Sequence, residues 1–458
     1  MGIFLGWKTK DRIRFVGIAF MLVVLGFFFF LSTINWLLQQ DNAFYQRPSV
    51  TASSLHALRR MIFVILNPAT SLPDSWGPML SAYQVFVSSS MSIYQETFFK
   101  LGTRFQYPPS SLLVIDILNA LHLQPQLALP QLNIVFFFLF ALTSGLIALV
   151  SFEKISLLKP WQKCVLFLIG SLSPFLFYPV IHALNMGQVQ IWIDAFIAVS
   201  VLAWLKDRKT LAGVMAGLTC LFKPQASLLL LWSISSRDWP FVRGFLGVIL
   251  IIACISIYRF GWANHLDYLD VLRFLSKHGE SFYANQSLMG LLHRLAGNGP
   301  NLIWEANSFP VFIPWIYWVS FLSSLLLFAF LIWASALSRG RTNIAGYAFA
   351  LIVTILAAPI AWEHHYGAIL PFFFPLLALG ISRHATSQLV LMGLAWILTA
   401  NYLPPLSRFA DSPFNPVQSY VFFGGLFFLF LTAQMSSWAV YPVEPLSARQ
   451  SIKAAPDA

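Results

Sequence analysis

The chain has 458 residues, of which 58% are hydrophobic and 10% are charged, and its mean hydropathy is +0.72. Soluble domains carry roughly a quarter charged residues, so this composition excludes an ordinary soluble protein. The formal net charge of +11 does not indicate a nucleic-acid partner, because the basic residues fall in short loops between apolar runs, as the positive-inside rule describes. Many of these runs approach the roughly 20 helical residues that cross a bilayer. The sequence predicts an all-α polytopic integral membrane protein.

The first apolar run, about residues 15–38, follows a short basic segment that predicts a cytoplasmic N-terminus. Residues 39–110 are then expected to form a long first extracytoplasmic loop. Its stretches MIFVILNPA and SAYQVFVSSSMSIY are too short or too polar to span, and they predict amphipathic helices on the membrane surface. We expect residues 1–441 to form one transmembrane domain and residues 442–458 a short cytoplasmic tail.

The later apolar runs raise the expected total to about 10–13 transmembrane helices. They lie near residues 131–152, 163–182, 188–205, 244–260, 312–337, 343–360, 367–381, 387–402 and 418–440.

Two further segments, 111–126 and 210–235, must each return to the side they start from if all the basic loops are cytoplasmic. Lys223-Pro224 lies in the middle of the second segment, which predicts a broken hairpin of two half-helices with Lys223 at its tip. The alternative treats both segments as full spans and places two basic loops outside.

With the hairpin topology, polar clusters that are distant in sequence share the extracytoplasmic side. Such a gathering of polar groups beside a membrane domain indicates one catalytic or binding centre. The clusters are the first loop ending in RFQYPPSS, the NMGQVQ turn at 185–190, the Lys223 tip, the loop containing YANQSLMGLLHR and the WEHHYG turn. The motifs around them are an acidic residue in the first loop, FQYPPSSLL (105–113), MGQVQIW (186–192), AGLTCLFKPQ (216–225), NQSLMGLLHR (285–294) and APIAWEHHYGAILP (358–371).

These motifs, in this order, resemble glycosyltransferase family 87, the polyprenyl-phosphate-mannose-dependent mannosyltransferase-like proteins of the GT-C class. The resemblance covers most of residues 15–402 and implies a GT-C-type fold. It also implies transfer of a hexose, with mannose expected, from a polyprenyl-phosphate carrier to an extracytoplasmic glycan or glycolipid acceptor. A bacterial inner membrane is implied by the family alone.

The resemblance implies a catalytic base in the first loop, and two aspartates are candidates. Asp74 matches the expected distance before the Tyr-Pro-Pro motif, whereas Asp41 directly follows the first span. Asp74 is also interpretable as the N-cap of a helix. Because a phosphate leaves without a general acid, one carboxylate suffices for direct inverting displacement. The sequence has no pair of closely spaced aspartates of the DxD type, so we expect neither a metal nor a cofactor.

The donor phosphate is expected to meet basic side chains. Lys223 is the first candidate, because a lysine in an apolar hairpin needs an anion or a path to water. The resemblance adds His364 and His365, which are otherwise explained as polar residues at a membrane-interface turn. Arg104 is a possible phosphate partner and equally a possible lipid-headgroup contact.

Six further polar residues of the motifs are candidates for contacts with the sugar or the acceptor. Gln188 follows a glycine that permits close backbone approach, although a helix-start turn explains this pair equally well. Tyr107 is expected mainly to shape the end of the first loop. The six candidates are Tyr107, Asn185, Gln188, Asn285, Gln286 and Glu363.

Two other functions remain open from the sequence. A transporter or flippase of lipid-linked sugars would share the cations inside the membrane but would not need the acid outside. A non-catalytic GT-C relative would tolerate loss of either aspartate.

Overall fold

The computed structural model describes residues 54–88, 92–305, 308–337 and 342–437. These residues form helices joined by turns and contain no strand, which confirms the all-α prediction. The predicted first span and the C-terminal tail lie outside the described residues. In chain order the α-helices are α1 Ser54–Leu66, α2 Trp76–Ser88, α3 Leu113–Ala120, α4 Pro125–Glu153, α5 Pro160–Leu172, α6 Tyr178–Asn185, α7 Gln190–Leu205, α8 Lys209–Leu218, α9 Leu229–Ser235, α10 Trp239–Phe260, α11 Trp262–His278, α12 Leu288–Leu295, α13 Pro314–Leu337, α14 Ile344–Leu356, α15 Leu370–Ser382, α16 Thr386–Ala400 and α17 Tyr420–Ser436.

The chain is a membrane protein with several helices that are long and apolar enough to cross a bilayer. Among the described residues there are five such helices, or six if one bent pair forms a single span. Five other apolar helices have 10–17 residues, fewer than the roughly 20 that a perpendicular span needs. In the described part of the chain, the number of helices long and apolar enough to span is therefore smaller than the predicted 10–13 transmembrane helices. Each predicted span within it nevertheless coincides with a helix or a bent pair.

The span predicted near residues 163–182 is not one straight helix. The helical segment Pro160–Leu176 and α6 meet at an angle of 58°. Pro174 and Pro179 flank the break, and proline removes a backbone donor and clashes with the preceding turn of a helix. The bend directs the end of α6 and the turn after it toward the first loop.

The two helices predicted within the first loop are present as α1 and α2. The side-chain amide of Asn185, at the end of α6, donates to the carbonyl oxygen of Ala57 at 2.9 Å and holds α1 against α6. On the other face of α1, Phe63 and Leu66 are exposed by 55% and 74%. That apolar face fits the predicted position on a membrane surface.

Residues 209–238 leave and return to the same end of the helix bundle. The Nζ atom of Lys209, where α8 begins, lies 3.1 Å from Oδ2 of Asp238, just before α10. Glycines let α8 and α10 approach closely, because a Cβ on Gly213 or Gly244 would overlap the backbone of the other helix. The predicted hairpin is thus confirmed in its course, with Lys223 at the break between its two halves.

Candidate active site

A cavity of about 970 Å³ opens where the first loop, the turn between α6 and α7, the hairpin tip and the turn at residues 357–365 meet. Most of the site residues predicted from the sequence line it, although they come from five separate stretches of the chain. These lining residues are Asp74, Arg104, Tyr107, Asn185, Gln188, Lys223, His364 and His365. Asp41 lies outside the described residues.

The carboxylate of Asp74 belongs to a hydrogen-bonded network that crosses between the first loop and the turn after α6. Gln188 Nε2 donates to Asp74 Oδ2, and Gln188 Oε1 accepts from Ser75 Oγ at 2.8 Å. The hydroxyl of Tyr107 lies 2.7 Å from Ser75 Oγ, and the backbone N–H of Val189 donates to the same oxygen at 3.0 Å. These bonds fix the direction of the carboxylate.

The environment of Asp74 suits a base better than a helix cap. Within the described residues, no backbone N–H of α2 donates to its carboxylate. Burial raises the pKa of Asp74 above its usual value, and the hydrogen bond from Gln188 and the charge of Arg104 only partly oppose this. A raised pKa makes a carboxylate a stronger base once it is ionised.

The turn after α6 brings the two chain segments into direct contact. The N–H of Asp74 donates to the carbonyl oxygen of Met186 at 3.1 Å, and the N–H of Leu72 donates to that of Asn185 at 3.3 Å. Gly187 has a φ of +64°, and a Cβ there would overlap the carbonyl oxygen of Leu72. Glycine is required at this position by both its conformation and the close approach.

Lys223 lies at the broken tip of the hairpin. Its N–H closes one short helical turn on Thr219, and Pro224 begins the next turn, so the side chain projects from the break into the cavity wall. Its Nζ donates to Gln190 Oε1 at 2.5 Å. Burial lowers the pKa of Lys223 to about 7, while the nearby charge of Asp194 opposes the decrease.

Histidines form the wall beside Lys223. The rings of His364 and His365 lie 4.8 Å apart at 80° to each other, and both side chains reach the cavity although adjacent residues point in different directions. A third histidine, His182 of α6, has its ring 6.2 Å from that of His364. Together with Lys223, these rings form a wall of nitrogen groups that can donate hydrogen bonds to an anion.

Arg104 is held by the protein. Its NH1 donates to Glu280 Oε2 at 2.6 Å, its NH2 donates to the carbonyl oxygen of Ser308 at 2.6 Å, and its guanidinium lies 4.0 Å from the ring centroid of Phe309. Both side chains of the ion pair are buried, with exposures of 8% and 6%. The structure thus gives Arg104 a part in joining the first loop to the loop after α11, and its contact with a phosphate stays a prediction.

Three of the candidates do not line the cavity. Asn285, Gln286 and Glu363 are buried, with exposures of 0%, 0% and 1%. Asn285 Oδ1 accepts from the N–H of Ala361 at 2.9 Å, and the amide of Gln286 donates to the carbonyl oxygen of Gln418 at 2.9 Å. The side chain of Asn285 ties the loop before α12 to the turn that carries the histidines, whereas that of Gln286 ties the same loop to the start of α17.

Three residues near the cavity were missed by the sequence reasoning. Arg60 of α1 and His182 of α6 line the cavity, and Asp194 of α7 lies just behind its wall. Asp194 carried a usable signal, because an acid within an apolar run is a candidate for function. Arg60 carried none, since it belongs to an ordinary basic amphipathic helix.

Within the described part of the chain, no group of three or more His, Cys, Asp or Glu side chains is placed to hold a metal ion. The absence of a metal requirement stays a prediction.

The fold and the cavity define a polytopic membrane protein with a cavity lined by an aspartate, a lysine and histidines. The model of glycosyltransferase family 87 matches residues 105–359, more than half of the chain. The chain belongs to glycosyltransferase family 87, a family of membrane glycosyltransferases. It has no match among the curated proteins with which it was compared. The matched residues begin after Asp74, so the match does not choose between the two candidate bases.

Proposed function

We propose that this glycosyltransferase transfers a hexose, with mannose as the expected sugar, from a polyprenyl-phosphate carrier to a glycan or glycolipid acceptor. One observation carries the proposal: the same cavity is lined by the carboxylate of Asp74 and by the nitrogen groups of Lys223, His364 and His365. The two kinds of groups match the two ends of the reaction, a hydroxyl that loses a proton and a phosphate that leaves.

The proposed reaction is a direct displacement at the anomeric carbon of the sugar. Asp74 accepts the proton of the acceptor hydroxyl as the oxygen of that hydroxyl bonds to the anomeric carbon. The bond from that carbon to the phosphate oxygen breaks, and the phosphate takes the electron pair. The anomeric configuration is inverted. Gln188 keeps the carboxylate directed at the acceptor.

The leaving polyprenyl phosphate carries the charge that develops in the transition state. Lys223 stabilises that charge with its ammonium group and the histidines stabilise it with N–H hydrogen bonds, and in a site sheltered from water such interactions are stronger than in solution. Because a phosphate is a good leaving group, no general acid is required. We therefore propose a metal-independent and cofactor-independent enzyme.

The lipid carrier also suits a cavity formed at membrane helices. Phe328 of α13 and Thr354 of α14 belong to its lining, so the site reaches two helices of the membrane domain. We propose that the site faces the extracytoplasmic side of a bacterial inner membrane, which follows from the arrangement of basic loops and from the resemblance to the family.

Transfer from radiolabelled polyprenyl-phosphate-mannose in membranes tests the proposal. The parent should transfer label to an acceptor, Asp74→Asn should not, and Asp41→Asn at matched expression should behave as the parent. Loss of transfer in Asp41→Asn alone would move the base to that residue. No transfer by the parent, with the donor and a native membrane extract as the acceptor source, would overturn the donor assignment.

A further inference from the structure

A buried acid lies behind the cavity wall and connects to Lys223. Asp194 is fully buried on α7 and does not line the cavity. Gln190, one helical turn earlier, donates from Nε2 to Asp194 Oδ1 at 2.7 Å and accepts from Lys223 Nζ at its own Oε1 at 2.5 Å. The side-chain amide can serve both partners in only one orientation, because the ammonium donates and the carboxylate accepts. The three residues form a continuous acid–amide–ammonium chain.

The same acid is pressed against the turn that carries the histidines. A Cβ on Gly367, two residues after His365, would overlap Oδ2 of Asp194. The carboxylate therefore fits only because residue 367 is a glycine. Asp194 thus lies where α7, the hairpin tip and the histidine turn meet.

A role in packing alone does not explain this acid. Asp194 Oδ2 has no hydrogen-bond partner among the described residues. A buried carboxylate with one unsatisfied oxygen destabilises a fold, whereas an apolar side chain in an apolar helix does not. The charge of Asp194 has an evident use, because burial acts against the charged form of Lys223 and a nearby anion favours that form.

We propose that Asp194 is a positioning residue of the anion-binding centre: acting through Gln190, it keeps the Lys223 ammonium charged and directed into the cavity. The inference rests on the proposed function only in taking the anion to be a polyprenyl phosphate. Asp194 touches neither substrate. It acts on the donor through Lys223.

Binding of sugar-free polyprenyl monophosphate to the full chain in nanodiscs tests the proposal, with the uncharged polyprenol as the comparison ligand. At pH 7.5, Asp194→Asn should weaken binding of the phosphate about tenfold, the effect of lowering the pKa of Lys223 by about one unit. Binding of polyprenol should not change. Asp116→Asn is the control, since Asp116 is another acid paired with a basic side chain, that of Arg259, but lies away from the cavity and from Lys223.

A double-mutant cycle separates positioning from general damage to the fold. In a Lys223→Met background, Asp194→Asn should cause no further loss of phosphate binding, because its effect passes through the missing ammonium. Gln190→Leu should weaken phosphate binding while leaving the acid in place. Asp194→Glu, which keeps the charge, should retain more binding than Asp194→Asn.

The pH dependence gives a second readout. Lys223 is faced by Gln190 and Asp194 from α7 and by His364 and His365 from the turn before α15. Phosphate binding by Asp194→Asn should recover as the pH falls and Lys223 regains its proton. Because the histidines also gain charge at low pH, the recovery is measured relative to the Lys223→Met variant.

The outcomes distinguish the two proposals. If the parent does not prefer the phosphate to polyprenol, the proposed donor is wrong. The positioning role is overturned if the parent and Asp194→Asn prefer the phosphate to polyprenol equally. It is also overturned if Asp194→Asn weakens phosphate binding as much in the Lys223→Met background as in the parent. Should Asp194→Asn not fold, Gln190→Leu gives the same test, because it removes the amide through which Asp194 acts on Lys223.

Discussion

The side-chain amide of Gln188 donates to the carboxylate of Asp74, although 114 positions separate the two residues in the chain. Ser75 bonds to the other end of that amide, so a loop residue and a membrane-helix turn jointly orient one acid. The orientation therefore depends on how the first loop is joined to the turn after α6. The first four predictions address this junction and the acid that it holds.

Asp74→Asn should abolish transfer while raising thermal stability slightly. Loss of a catalytic base costs about 10²–10⁴-fold in rate. Because the pKa of Asp74 is raised by burial, its contribution to stability is present at low pH and is lost as pH rises through the folded-state pKa. At neutral pH the ionised, buried carboxylate therefore destabilises the folded protein, and asparagine removes this destabilisation. Transfer rates and thermal midpoints of the purified variants check both effects.

The same shift predicts the pH dependence of the parent. A base acts when it is ionised, so kcat/KM should fall as pH decreases through the raised pKa of Asp74. This acid limb should lie above the value expected for an exposed aspartate. Asp116→Asn is the control, since Asp116 pairs with Arg259 outside the cavity. Full activity of Asp74→Asn would refute the assignment of the base.

Gly187→Ala should destabilise the protein and reduce transfer. A left-handed conformation costs a residue with a side chain about 1–2 kcal/mol, and overlap with the Leu72 carbonyl oxygen adds to this. Gly247→Ala in α10 is the matched control, because a Cβ there meets nothing within 4 Å and alanine favours a helix. Thermal midpoints in detergent would compare them, and equal midpoints would contradict the close approach at Gly187.

Tyr107→Phe should lower kcat about tenfold, equivalent to about 1.4 kcal/mol of transition-state stabilisation, with little change in KM for the donor. The lost hydroxyl contacts Ser75, which in turn bonds to Gln188. Tyr83→Phe removes a hydroxyl that bonds to Asp116 instead, and it should leave kcat unchanged. A change in KM alone would indicate that Tyr107 contacts the substrate.

Arg60→Gln should raise KM for the donor about tenfold, since a hydrogen bond to a charged group contributes about 1.5–3 kcal/mol. Arg60 lines the cavity, whereas its neighbour Arg59 is exposed and does not. Arg59→Gln is therefore a control that removes the same charge from the same helix. Equal effects of the two substitutions would mean that α1 acts through its net charge on the membrane surface.

Asn285→Ala should lower the thermal midpoint without changing KM in the fraction that folds. The substitution leaves the N–H of Ala361 and the carbonyl oxygen of Glu280 without their bonds to this side chain, and each buried unpaired group costs about 1–3 kcal/mol. Asn119→Ala, at an exposed position, should change neither quantity. A raised KM with an unchanged midpoint would restore Asn285 to the substrate site.

Hydropathy was sufficient to locate the helices, because a bilayer restricts the lengths and compositions that can cross it. The run predicted at 312–337 matches α13, and the run at 131–152 lies within α4. The bend between α5 and α6 was harder to foresee, since prolines also occur inside continuous helices of this chain, as Pro130 in α4 and Pro375 in α15 show.

The sequence predicted some cavity-lining residues correctly and others not, for a chemical reason. The same residue types that bind ligands also satisfy buried backbone groups, so Gln286 and Gln188 look equivalent in their motifs. Only the structure shows that Gln188 lines the cavity, whereas the side-chain amide of Gln286 joins two loops. Residues outside any motif, such as Arg60, become visible only when the fold brings them to the cavity wall.

The ion pair between Lys209 and Asp238 has a further consequence for the hairpin. The ion pair fixes the start of α8, so the number of residues in the helical segment after it determines the distance between the ion pair and Lys223. One inserted residue would advance the tip by about 1.5 Å and rotate it by about 100°. The hydropathy of the segment would hardly change, yet the ammonium would leave Gln190. In this protein the number of residues between 209 and 223 is therefore as much a part of the site as the lysine itself.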